Sequence, residues 1–83
     1  MNELTPDLVA NRQQLAQFVH KLRLQIKNNP AAYENVMLDD YLEAMSGFLT
    51  DMDGFYQNRG ESMPDSPSWS MIGHILKAAA TYE

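Results

Sequence analysis

From residue 38 to residue 56 the side chains Leu38, Tyr41, Leu42, Met45, Leu49, Met52 and Tyr56 recur at helical intervals, with Phe48 at the edge of the row. At about 100° per residue this spacing lays them along one side of an amphipathic helix. Nothing in the chain alternates with the period of two that a half-buried strand requires, and no internal repeat is present. A helix with one apolar side needs other helices to cover it, because helix formation alone is marginal in water. The chain is therefore expected to be all-α.

Two further segments supply the cover. Leu15, Phe18, Val19, Leu22 and Ile26 form one stripe over residues 11–28. Asn11 followed by Gln14 reads as a capping pair, with an earlier start at Thr5-Pro6 as the alternative. Asn28-Asn29-Pro30 ends that element, since the residue before proline avoids the helical region. The third helix is expected from Ser66, a capping residue followed by Pro67 at the first helical position, to residue 82. Trp69, Ile72, Gly73, Leu76, Ala79 and Ala80 would face inward from it. The prediction is a compact three-helix bundle with helices at about 11–28, 38–57 and 66–82 in one domain, residues 1–83, of which 1–10 form a short N-terminal extension. Gly60 would close the second helix, with Gly54 either an interior glycine placed for packing or the start of the cap.

The chain has no cysteine, so disulfides, thiolate metal sites and cysteine nucleophiles are excluded and the core alone must hold the fold. No apolar run approaches membrane-spanning length and no basic start precedes an apolar stretch, which suggests a cytoplasmic protein without a membrane role. A net charge of −5 disfavours nucleic-acid binding. That charge is uneven: residues 1–30 carry +2, residues 31–65 carry −7, and residues 66–83 balance.

Residues 51–69, DMDGFYQNRGESMPDSPSW, invite a metal reading, but an EF-hand register fails. With Gly54 in the glycine position Leu49 falls first and Gly60 twelfth; with Asp51 first, Tyr56 falls where glycine is required. A weak surface cation near Asp51, Asp53 and Glu61 is the remaining metal option. His20 and His74 stand singly, without a chelating partner four residues away, and read as surface residues. There is no nucleophile elbow and no phosphate-cradling glycine loop, so no catalytic residue and no cofactor are expected. The polar and aromatic residues Asp53, Gly54, Phe55, Tyr56, Asn58, Pro67 and Trp69 read instead as a structural junction between helices two and three. Asp53 and Asn58 would turn inward there, one of them bonding Trp69 or capping the third helix, and Asp51 outward.

These residues resemble a bacterial family of small α-rich domains of unknown function. The resemblance rests on Asn35, Leu38 and Tyr41-Leu42-Glu43-Ala44, then Asp51-Met52-Asp53-Gly54-Phe55-Tyr56 with Asn58. It continues through Pro67, Trp69, Leu76, Ala79 and Tyr82-Glu83, and covers about residues 11–83. It implies a compact α-rich protein and no particular activity. Tyr33 stands where many relatives have Trp, and Met37 where a helix-capping Thr is expected, which puts the start of the second helix in question.

Asp39, Asp40, Glu43 and Asp51 share the outer face of the second helix with few cations at helical spacing. A solvated face would explain them, and so would a surface that steers a basic partner. The sequence thus predicts a non-catalytic acidic protein-binding module, of immunity or regulatory type, as a monomer or weak homodimer. The alternatives are a self-associating structural domain, with Leu24, Met63, Met71 and Ile75 as its patch, and a small-ligand or metal site at the turn between helices two and three.

Overall fold

The apolar rows condense into three α-helices, α1 (Arg12–Asn28), α2 (Leu38–Asn58) and α3 (Trp69–Ala79), with 3-10 turns at Pro6–Leu8 and Pro30–Ala32. The computed structural model describes residues 5–81, among which there is no strand. The expected all-α three-helix bundle is the fold. Tyr82 and Glu83, the end of the expected third helix and of the signature, lie outside the described residues.

α1 starts at the expected cap. Asn11 Oδ1 accepts from Gln14 N–H and Gln14 Oε1 accepts from Ala10 N–H, each at 2.8 Å. The first bond satisfies one of the donors that a helix start leaves unpaired, and the second ties the residue before the cap back to the first turn. α2 starts at Leu38 without a side-chain cap, since Met37 has no group to accept the bond; its first turn carries Asp39 and Asp40 at the positive end of the helix dipole. Its far end closes on Gly60, whose φ of +73° lies in the left-handed region. Gly60 N–H donates to Gln57 O at 3.0 Å and Glu61 N–H to Tyr56 O at 2.9 Å, the paired bonds of a Schellman cap.

α3 begins later than expected. Ser68, not Ser66, is the cap, its hydroxyl accepting from Met71 N–H at 3.0 Å, and Pro67 lies outside the helix. α3 is the central element, packing against both α1 and α2, whereas α1 and α2 scarcely meet. Two apolar clusters result. Val9, Phe18 and Leu22 form one with Leu15, Ile26, Tyr33 and Leu76; Phe48, Met52, Tyr56 and Met71 form the other with Phe55, Ile75 and Ala78. A helix shared by two cores must be apolar nearly all round, which WSMIGHILKAA is. Met71, at 4% exposure, is therefore core and drops out of the expected self-association patch, of which Leu24 and Met63 are exposed and Ile75 half-buried. Trp69, expected to anchor the helix inward, is 40% exposed, about 160° round the helix from Met71.

The row on α2 is displaced in the same way. Ala44, Phe48, Met52 and Tyr56 are the buried positions, while Leu38 and Leu42 are 72% and 52% exposed and Leu49 is also exposed. Phe48, which the spacing puts at the edge, is the centre. α3 covers only half of the apolar arc of α2, and α1 does not close over the other half.

The last turn of α3 is tied down by the segment that leads into α2. Tyr41 Oη donates to Leu76 O at 2.8 Å, Asn35 Nδ2 to Ala79 O at 3.1 Å, and Asn35 N–H to Ala80 O at 2.9 Å. Ala80 N–H and Thr81 N–H take the carbonyls of Lys77 and Ala78. Every carbonyl from residue 76 to residue 80 thus has a donor, answering the unpaired acceptors that a helix end leaves. Burial raises the pKa of Tyr41, keeping its phenol a donor.

The N-terminal extension is part of the packing over its described residues. Pro6 is buried and Val9 belongs to the α1 core. Both lie against Gly73, where an added Cβ would meet Pro6 Cβ at 3.4 Å and Val9 Cγ2 at 3.8 Å, so only a small residue there admits the 3-10 turn. Gly54, by contrast, has open space at its Cβ position; it is an interior glycine with no packing reason, not a cap.

Candidate functional site

The second helix carries the first candidate. Asp39, Asp40, Glu43 and Asp51 are all exposed. At about 100° per residue they fall within an arc of roughly 120° on the side of α2 turned away from Phe48 and Met52. Thr50 lies on the same side and donates its hydroxyl to Ser46 O at 2.9 Å, within the helix. The ridge expected from the sequence is thus a continuous exposed surface.

The junction residues divide. Phe55 and Tyr56 pack, edge to face at 5.2 Å between centroids, and Phe55 stands edge-on to Phe48 at 5.4 Å. Asp53 and Asn58 are exposed, not inward. Asp53 Oδ1 accepts from the neighbouring Gly54 N–H at 2.9 Å, so it neither bonds Trp69 nor caps α3, a role Ser68 fills. Pro67 and Trp69 are exposed as well. Among the described residues no group of three His, Asp or Glu side chains is arranged to hold a metal ion.

A second cluster had no local signal in the sequence. Asp7, Arg59 and His74 come from the N-terminal turn, the end of α2 and the middle of α3. Asp7 Oδ1 lies 2.8 Å from His74 Nε2 and accepts from Arg59 Nη2 at 3.0 Å, while Arg59 Nε stands 3.5 Å from Glu61 Oε2. A ring nitrogen donating to Asp7 has no lone pair for Arg59 Nη1, so their 3.3 Å separation is an approach without a bond. Phe55 lies under both side chains, 5.3 Å from the Arg59 guanidinium carbon, a cation–π distance, and 5.3 Å from the centroid of the tilted His74 ring. The hydrogen bonds of His74 and then Arg59 hold the Asp7 carboxyl below its ordinary value, and Asp7 in turn raises Arg59. His74, expected at the surface, is mostly covered, with 14% of its side chain exposed. The arrangement pins the N-terminal turn across the end of α2. It holds no nucleophile placed against His74, and Asp7 is committed to two donors.

No helix among the described residues is long and apolar enough to cross a membrane. No curated protein and no solved structure matches the chain. One family model does, from the capping residue of α1 to the end of the chain. The chain belongs to the family of unknown function DUF7660, matched over residues 11–83.

Proposed function

We propose that this domain is a non-catalytic, cytoplasmic bacterial interaction module that docks on a protein with a basic surface through the outer face of α2. The observation that supports the reading is the exposed carboxylate arc of Asp39, Asp40, Glu43 and Asp51, on a helix whose described cations amount to none before Arg59. Arg59 itself is held by Asp7 and Glu61, away from the ridge. Carboxylates grouped on one exposed face raise the rate at which a basic partner arrives and fix its orientation more than they add to raw affinity. A regulatory or immunity-type protein that covers a basic active surface has this chemistry.

The test is capture of partners from a lysate of the source cell by the wild-type domain and by Asp40→Lys/Glu43→Lys, at low and high salt. Docking through the ridge requires a protein that binds at low salt, is released at high salt and is lost in the variant. Equal capture by both proteins removes the ridge from the account. Circular dichroism of the variant separates loss of docking from loss of fold.

A further inference from the structure

α2 has a second unpartnered surface, on another side from Asp40 and Asp51. Met45, Leu38, Leu49 and Leu42 lie roughly 40–100° round the helix from Tyr41. Phe55, which packs on His74 beside the N-terminal turn, lies on the opposite side of Tyr41. Leu42, Met45 and Leu49 line an open depression there. Tyr41 itself lines a groove with Val19, Leu22, Ile26, Arg23 and Lys27 of α1. Tyr41 is one helical turn before Met45, so the two depressions adjoin, and the leucine row of α2 and the Val19 side of α1 make the two banks of an apolar trough. Val19, Leu38, Leu42 and Leu49 are all exposed in it.

The rims of the trough carry opposite charge. On the α1 bank, Arg12, Arg23 and Lys27 fall on the Val19 side of the helix, within roughly 80° of that residue. On the α2 bank, Asp39, Ser46 and Asp53 follow one another at seven-residue spacing just outside the leucines, and all three are exposed. An exposed apolar strip of this kind on a small domain marks an interface. Its flanks select the occupant: one side asks for acids, the other for bases, and this same surface supplies both.

We infer that the trough is a homodimer interface, occupied by the trough of a second copy of this chain. A two-fold axis running along it lays the α1 bank of one copy over the α2 bank of the other. The basic rim of Arg12, Arg23 and Lys27 then runs along the acidic rim of Asp39 and Asp53 of the second copy, each about 21–22 Å long at 1.5 Å per residue, and the reverse contact follows by symmetry, as an isologous interface requires. The two-fold axis that lies across the trough instead sets like charges together. Asp39 is shared with the docking arc, but Asp40, Glu43 and Asp51 stay outside the trough, so the dimer would display two ridges on one particle.

Charge reversal in pairs tests this directly. Arg23→Glu/Lys27→Glu makes both rims of a copy acidic, and Asp39→Lys/Asp53→Lys makes both basic. Sedimentation velocity across a concentration series should show a reversible wild-type dimer and dimer dissociation constants roughly tenfold or more weaker for each variant alone. An equimolar mixture of the two variants should recover dimers, because every rim contact between unlike variants is again attractive. Recovery cannot come from misfolded protein. A wild-type chain that stays monomeric at high micromolar concentration overturns the inference, whatever else covers the trough. So does a dimer that both variants retain, or a mixture no more associated than its parts.

Discussion

Asn35 offers the sharpest test of how the helices are joined. Its side-chain amide donates to Ala79 O at 3.1 Å and its backbone N–H to Ala80 O at 2.9 Å, and both alanines are fully buried at 0% exposure. Asn35→Ala leaves the backbone bond and removes the amide, so one carbonyl in a water-poor site loses its donor. Such a loss costs about 1–3 kcal/mol, far more than removing an exposed hydrogen bond. In a domain of this size about 2 kcal/mol lowers Tm by roughly 8–16 °C. Asn35→Asp is the discriminating variant. It keeps the shape but sets a carboxylate oxygen against a carbonyl, so it should cost at least as much as alanine at pH 7 and recover in part near pH 4, where a protonated carboxyl can donate. Thermal and urea unfolding followed by circular dichroism read all three proteins. An Asn35→Asp protein as stable as wild type at pH 7 would refute the capping role, because no acceptor can do what that amide does.

Four further outcomes follow from the same contacts. Phe48→Ala should cost about 3–5 kcal/mol and Leu42→Ala less than about 1 kcal/mol in urea unfolding, since only the first removes a buried side chain; equal costs would put the α2 row back where the spacing alone places it. Gly54→Ala should stabilise by about 0.5–1 kcal/mol, because it sits inside a helix with open space around it, while Gly60→Ala should destabilise by about 1–2 kcal/mol at its positive φ. Met37→Thr should add about 1 kcal/mol, by supplying the acceptor that the start of α2 lacks at a residue whose extended backbone already suits a cap. Asp7 has a lowered pKa, caused first by its bond to His74, so its contribution is present above its unfolded value of about 3.9 and fades as pH falls through the lower folded value. The Tm difference between wild type and Asp7→Asn should therefore close as pH falls below about 4, and a difference constant in pH would remove the ion pairs as its cause; the effect is small because Asp7 is half exposed.

What could be read in the sequence was what is local. The Asn11–Gln14 pair gave the start of α1 and Gly60 the end of α2, because each acts through bonds that span a few residues. The start of α3 was misplaced because Ser66-Pro67 and Ser68-Trp69 offer two caps two residues apart, and local chemistry does not choose between them. Burial failed in a more instructive way. The apolar arc of α2 runs from Ala44 through Phe48 and Tyr41 to Leu42, wider than one neighbour can cover, and periodicity reports the arc without saying which half α3 will take. The uncovered half became the trough. Asp7, Arg59 and His74 were invisible as a group because their sequence separations carry no helical or strand period. Asp7 also lies before residue 11, where the family match begins.

The central claim is that the outer face of α2 is where a partner sits. Hydrogen exchange on the domain, alone and in complex with the protein it captures at low salt, measures that face directly. The account predicts slowed exchange in peptides spanning residues 38–53, most strongly around Asp40 and Glu43, with the 60–68 connection unchanged. Slowing confined to α1 or to that connection, with residues 38–53 exchanging as in the free domain, would contradict it.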